Sequence, residues 1–340
     1  MSVGILSTVG KTPLVRLDRY FAPAQFICFA KLESFNPGGS SKDRPALAIF
    51  ESGWRSGAIG PETVVIESSS GNMGIALALA CRYHGLRFIC VMDPKASSLN
   101  LRILQAYGAE IDRVVEPDPG SGEWLPARIH RVQQLLREIP GSFWPNQYSN
   151  LANAEAHYRT TIEEVVTGVG EAIDFLFIPT STCGTLRGCG DFIRDRGLRT
   201  RIVAVDAVGS LIFGGFNAGA GERLIPGLGA GIQPPLCDPS LVDQVVHVSD
   251  IECILGCRRL VQREAILAGG SSGGVVAAVD RLRDHIPASA TCVAILPDRG
   301  ERYLDTIYDD GWVKEHFGAI DELLARADRG NRWTSATFSS

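Results

Sequence analysis

The feature that most restricts what this chain can fold into is a series of six short, almost wholly apolar runs. They are residues 26–33 (FICFAKLE), 63–67 (TVVIE), 87–93 (RFICVMD), 174–180 (DFLFIPT), 201–206 (RIVAVD) and 291–297 (TCVAILP). A strand with one wet face alternates apolar and polar residues. These runs do not alternate, so they read as strands covered on both faces. Between them lie helical patterns over residues 41–56, 72–84, 98–107, 124–138, 153–168, 185–195, 250–268 and 273–285. Such alternation predicts an α/β fold with parallel sheets and right-handed crossovers. One sheet of this kind rarely consumes 340 residues, so two domains are expected.

Composition narrows the function classes. The chain is 45% apolar and 21% charged, which argues against disorder. Thirty-three Lys and Arg are scattered among 38 Asp and Glu, giving a net charge of −5. That is not the footprint of a nucleic-acid binder. No run of about 18 apolar residues occurs, so a spanning helix is not expected. The opening MSVGILSTVGK has no basic stretch ahead of an apolar one, which argues against a secretory leader. The nine cysteines are odd in number and lack a Cys-x-x-Cys pair. Several lie inside apolar runs, where a reduced thiol is a small hydrophobe, so a reducing, cytoplasmic setting is expected. The six histidines show no metal-ligand spacing, and no metal is expected. Residues 209–239 are rich in Gly and Pro and too long for a plain connection, which marks a functional loop. Residues 326–340 read as a flexible tail.

Four places carry candidate chemistry. In SFNPGGSSKDRPA (34–46) a turn leads into a helix that Ser40 or Ser41 can cap, with Lys42 in its first turn. The positive end of the helix dipole disfavours a cation there, and a neutral amine is the form that makes imines. ESSSGNMGIALALA (67–80) and IPTSTCGTLRGCG (178–190) each run from strand through a small polar loop into a helix, a natural anion site. LAGGSSGGVVAAV (267–279) is a further Ser/Gly loop of this kind. Taken singly, Lys42 also reads as a surface lysine and each loop as an ordinary capped connection. None is a nucleotide-binding glycine motif.

Together, KLESFNPGGSSKDR, SSGNMG, NQYSNLAN, STCGT, GLGAG and GGSSG come in one order and spacing. In that order they resemble the fold type II pyridoxal-phosphate enzymes of the cysteine synthase and cystathionine β-synthase group. The resemblance runs over residues 12–305. It implies a tryptophan synthase β-like fold of two parallel-sheet α/β domains with pyridoxal 5′-phosphate in the cleft between them. The smaller, mobile domain would be residues 45–148 and the larger 1–44 plus 149–325. A homodimer acting on small amino acids is implied too.

Residue by residue, the resemblance makes Lys42 the lysine that holds the cofactor as an internal aldimine and works as acid and base at the substrate α-carbon. Asn72 would hydrogen-bond the pyridine 3′-oxygen. Ser69, Ser70 and Gln147 would face the substrate α-carboxylate, with Met73 and Tyr148 beside them. Ser181, Thr182, Cys183, Gly184 and Thr185 would cradle the phosphate, and Ser271 would meet the pyridine nitrogen. A serine there cannot keep that nitrogen protonated as a carboxylate would. The ring is then a weaker electron sink, which favours prompt loss of a β-substituent to an aminoacrylate.

Sulfhydrylases of the group carry Thr at Met73, Gly at Ser181, Gly at Cys183 and Phe at Tyr148. Added polar groups at Tyr148 and Ser181 point to a nucleophile larger than sulfide, neutral drift being the plainer alternative. NPGGSSKDRPA, VDAVGSLIFG and LPDRGERYLD resemble a narrower subgroup. It joins O-phospho-L-serine to L-glutamate on the way to 2,3-diaminopropionate for siderophores and some peptide antibiotics. A sulfhydrylase using O-acetylserine or phosphoserine, and a silent regulatory relative, remain as alternatives. Arg299 is a candidate cation for the substrate phosphate or the glutamate side chain.

Overall fold

A computed structural model describes residues 3–120, 122–214 and 223–319. Among these, nine strands occur in chain order: β1 (Leu14–Arg16), β2 (Ile27–Leu32), β3 (Val64–Glu67), β4 (Arg87–Met92), β5 (Glu110–Arg113), β6 (Phe175–Pro179), β7 (Arg201–Ala207), β8 (Gln244–Val248) and β9 (Thr291–Leu296). The helices are α1 (Asp18–Phe21), α2 (Asp43–Ser56), α3 (Asn72–His84), α4 (Ser98–Ala106), α5 (Trp124–Glu138), α6 (Leu151–Ala156), α7 (Ile162–Val169), α8 (Gly184–Asp195), α9 (Asp250–Glu264), α10 (Gly270–Leu282) and α11 (Asp310–Phe317).

The strands build two sheets, one in the order β1-β2-β9-β6-β7-β8 and one in the order β3-β4-β5. All neighbours are parallel except β1, which runs antiparallel along the edge of β2. The apolar runs have the predicted cause. In β6, Phe175 and Phe177 enter the core on one face, while Leu176 and Ile178 enter the core on the other. In β9, Cys292, Ala294 and Leu296 face one way, and Val293 and Ile295 the other. The smaller sheet repeats this, with Phe88 and Cys90 of β4 opposite Ile89 and Val91.

All six expected strands are present, and β1, β5 and β8 are additional. Each of the three is an edge strand that is only partly buried, unlike the edge strand β3, whose four residues are all buried, so its sequence carries no run of apolar residues on two faces. The helix expected over 153–168 is broken into α6, a wide turn (His157–Thr161) and α7. Helix α10 begins at Gly270, ahead of its sequence signal, because its glycines serve contact rather than turning. A Cβ on Gly273 would lie 1.9 Å from the Cys253 carbonyl of α9, so the two helices touch backbone to backbone. The tail at 326–340 and part of the 209–239 segment (215–222) lie outside the described residues.

One buried ion network fixes where α2 starts. Arg44 holds Glu33 through Nε and Nη2 (2.6 and 2.8 Å) and Glu164 through Nη1 and Nη2 (2.7 and 2.8 Å). Lys31 adds a third contact to Glu164 at 2.7 Å. Thr12 and Asn36 donate to Glu33, at 2.7 and 3.0 Å. β2, the turn after it, α2 and α7 are thereby joined two residues from Lys42. Burial alone would raise the Glu164 carboxyl, but Arg44 and Lys31 hold it at about 2, below the ordinary 4.5. A depressed carboxylate stabilises the fold above its unfolded pKa and loses that contribution as pH falls toward the folded value. Stability measured by urea unfolding is therefore expected to decline between about pH 4.5 and pH 2. Glu164→Gln should flatten that decline, at the expense of lower stability at neutral pH.

Candidate active site

In parallel sheets, loops at the carboxyl ends of strands are the ones free to surround a ligand. Four such exits meet in this chain. Ser40 and Asp298 form an isolated antiparallel bridge, and the Ser41 N–H donates to the Pro297 carbonyl (2.7 Å), which lays the Lys42 loop on the β9 exit. The Gly269 N–H donates to the Asp298 carbonyl (3.1 Å), bringing the start of α10 and Ser271 to the same place. Asn72 donates through Nδ2 to Asp298 Oδ2 (2.7 Å), which joins the β3 exit. Asn153 Nδ2 reaches both the Gln147 carbonyl (2.8 Å) and Thr182 Oγ1 (3.4 Å), linking the β6 exit to the segment before α6.

Lys42 is half-buried and stands at the N-cap of α2, one residue before the first helical residue Asp43. No side chain caps this helix; Ser40 Oγ instead accepts the Lys42 N–H (3.2 Å) and Ser41 Oγ lies 3.5 Å from Nζ. Lys42 makes no ion pair among the described residues. Burial holds its amine below the ordinary lysine range, with Asp298 and Glu33 pulling weakly the other way.

Asn72 is the first residue of α3. Its Oδ1 accepts from Arg302, which also donates to the Gly38 carbonyl. Ser69 Oγ accepts the Gly74 N–H (3.1 Å), while Ser70, half-buried, makes no side-chain hydrogen bond among the described residues. Met73 departs from the expected substrate loop: its side chain is 2% exposed and lies in the small-sheet core with Ile49 and Phe50. Gln147 is buried, its N–H 3.3 Å from Glu67 Oε2. Burial raises the Tyr148 phenol above its ordinary range, so it stays a proton donor; Glu67 and Arg128 are its charged neighbours.

Cys183 precedes α8 in the left-handed conformation (φ 64°) and is buried. The first amides of α8 have no helical acceptor and form an anion site, with Ser181 half-buried beside them. Thr185 Oγ1 lies 3.2 Å from Nε2 of His157. Burial, helped by Lys42 and Arg44, keeps that imidazole neutral far below its ordinary range. Ser271 is 3% exposed and makes no side-chain hydrogen bond among the described residues. Arg299, the cation singled out from sequence, instead donates to the Ser34 carbonyl (2.8 and 3.3 Å).

Sequence reading missed Asp298, Arg302, Asn153, His157, Glu67 and Arg128. Asp298 and Arg302 lie within LPDRGERYLD, so the motif was visible but the contacts across 226 and 230 residues were not. No helix among the described residues is long and apolar enough to cross a membrane.

Residues 5–298 match the family model described as pyridoxal-phosphate dependent enzyme. The chain belongs to this family. It is 48% identical over 309 residues to an N-(2-amino-2-carboxyethyl)-L-glutamate synthase of Ralstonia nicotianae, covering 91% of this chain and 90% of that protein. A synthase of the same name from Cupriavidus metallidurans is 47% identical over 312 residues, with the same coverage. The crystal structure of an O-acetylserine dependent cystathionine β-synthase from Helicobacter pylori superposes with a TM-score of 0.83. It is 30% identical and covers 91% of this chain and 99% of that one. The chain is thus an enzyme of fold type II whose cofactor is pyridoxal 5′-phosphate.

Its residues fit that cofactor. A lysine amine without an ion pair, a buried serine without a partner and the free amides of a helix start are the donors an aldehyde, a pyridine nitrogen and a phosphate require. The phosphate end is tightly built: a Cβ on Gly184 would lie 2.0 Å from Asn153 Oδ1. Gly184→Ala should therefore displace Asn153 and weaken cofactor retention by about tenfold, the effect of the 1–3 kcal/mol typical of overpacking. Cofactor absorbance remaining after dialysis measures this.

Proposed function

We propose that this enzyme performs a β-replacement joining O-phospho-L-serine to L-glutamate, giving N-(2-amino-2-carboxyethyl)-L-glutamate and phosphate. The observation that carries the proposal is Lys42: an amine without a counter-ion, held toward its neutral form by burial, where four strand exits meet. The names of the two similar synthases support the choice of product. Pyridoxal 5′-phosphate, when bound, supplies an aldehyde for the substrate amine and a sink for the electron pair left at its α-carbon.

The chain's own residues do the rest. Lys42 holds the aldehyde and, as a neutral amine, takes the α-proton. Asn72 donates to the ring oxygen. Ser271 would offer a neutral hydroxyl to the ring nitrogen, and with no carboxylate there the ring would be a weaker electron sink, which would favour loss of the β-phosphate. Residues 182–185 hold the cofactor phosphate with main-chain N–H groups. Ser69, Ser70 and Gln147 face the substrate α-carboxylate.

The nucleophile is selected by polar groups. Tyr148 keeps its proton and has Arg128 for a neighbour. Arg128 is 17% exposed in its side chain and lies 3.3 Å from Asp93, so it is a cation already desolvated and held. Tyr148, Ser181 and Arg128 give a dicarboxylic amine the donors that sulfide does not need. The product serves 2,3-diaminopropionate supply for siderophore or peptide assembly, and the enzyme works as a cytoplasmic homodimer of 45–148 and 1–44 plus 149–325 domains.

Lys42→Ala should lose both the visible absorbance of the bound cofactor and turnover; a variant as active as the parent would remove Lys42 from its role. Tyr148→Phe combined with Ser181→Gly should slow glutamate addition by about tenfold or more, from about 1–3 kcal/mol per unpaired polar group. Phosphate release from the first substrate should persist. Mass spectrometry of products from phosphoserine offered glutamate and sulfide together decides the substrate: a cysteine product would make the enzyme a sulfhydrylase.

A further inference from the structure

Glu67 ends β3 directly before the Ser/Gly loop and is 1% exposed. Its Oε1 accepts the Ser68 N–H at 2.8 Å and the Trp144 indole Nε1–H at 3.0 Å. Its Oε2 accepts the Gln147 N–H at 3.3 Å. No Lys, Arg or His pairs with it among the described residues. Burial raises its pKa and these donors oppose that rise. An ionised carboxylate offers acceptor sites on both oxygens and brings no proton of its own to place. A glutamine would turn an N–H against another N–H, and an aspartate would be one methylene short of the indole.

The donors come from two different stretches of chain. Ser68 opens the loop that carries Ser69 and Ser70. Trp144 and Gln147 belong to the segment that runs beside β3, held there by the Ile66 N–H on the Phe143 carbonyl and the Phe143 N–H on the Val64 carbonyl, both 2.9 Å. Beyond Phe143 that pairing stops, and Glu67 takes over as the tie. In the reading above, these two stretches are the walls that receive the substrate α-carboxylate.

We infer that Glu67 is a positioning residue that sets the spacing of these two walls and so the affinity for the α-carboxylate of the amino-acid substrate. It touches neither substrate nor cofactor. The negative charge sits behind an anion site without repelling the ligand, because its three donors absorb it. The inference rests on the proposed carboxylate role of Ser69, Ser70 and Gln147.

The test is a binding titration of the cofactor-loaded full chain, read from the change in the visible spectrum. O-phospho-L-serine is compared with 2-aminoethyl phosphate, which keeps the amine and phosphate and lacks the carboxylate. L-alanine and ethylamine are titrated alongside as a pair free of any leaving group. Glu67→Gln should weaken phosphoserine and alanine by about tenfold, equivalent to about one lost hydrogen bond to a charged group. The two carboxylate-free amines should bind within about twofold of the parent, and the unliganded spectrum should not change.

Trp144→Phe, which removes one donor and keeps the charge, should show the same selectivity with a smaller loss, and it decides the matter should Glu67→Gln fail to fold. Equal weakening of both members of a pair, or no weakening of either, overturns the inference. A parent enzyme that binds phosphoserine no better than alanine overturns the substrate proposal instead, and the alanine and ethylamine pair still decides the role of Glu67.

Discussion

The buried contact between Arg44 and two carboxylates is the interaction on which the arrangement of the site depends. All three guanidinium nitrogens are engaged, with Glu33 on one side and Glu164 on the other. A buried ion pair is weak grounds for stability, since desolvation offsets much of the attraction. Its value lies in what it excludes. Arg44 accepts only one placement, so the first turn of α2 has one placement, and Lys42 is two residues away. The network also balances itself: Lys31 and Arg44 against Glu33 and Glu164. Glu33 is therefore engaged by Arg44, and its charge only partly offsets the burial of Lys42. An amine left in that position loses hydration without gaining a partner, which moves it toward the neutral form.

The strands were readable wherever burial acts on both faces, β3 at the edge of the smaller sheet included, because composition then reports geometry directly. The half-exposed edge strands β1, β5 and β8 were not. Residues 110–113 (EIDR) are a strand because β4 lies beside them, and nothing in four mixed residues says so. The glycines of residues 269–274 read as a loop because glycine is usually a conformational choice; here Gly273 is a steric one, imposed by α9.

The candidate site divides in the same way. Lys42, Asn72, Ser271 and the phosphate loop could be named because they sit in motifs at helix starts, where local sequence and local structure coincide. Met73 sits in such a motif too, but its position on α3 turns it into the core. Glu67, Asn153 and Asp298 act through partners dozens to hundreds of residues away, and a motif carries no record of a partner. Arg299 and Arg302 show the limit well. They are neighbours of similar character in one motif, yet one binds the Ser34 carbonyl and the other reaches Asn72.

Asn72 also joins the two sheets. It belongs to the helix behind β3, whereas Asp298 and Arg302 follow β9 of the larger sheet, and Gly38 follows β2. Its amide has an oxygen that can only accept and a nitrogen with two hydrogens to give. Arg302 can only donate and Asp298 Oδ2 accepts, so the pair fixes which end of the amide points where. Oδ1 faces the guanidinium, Nδ2 gives one hydrogen to Asp298 Oδ2, and one N–H is left over. The side chain proposed to meet the ring oxygen of the cofactor therefore arrives with a donor of defined direction. Because that direction is set by the larger sheet and its anchor is in the smaller one, any movement between the two would be felt first at this amide.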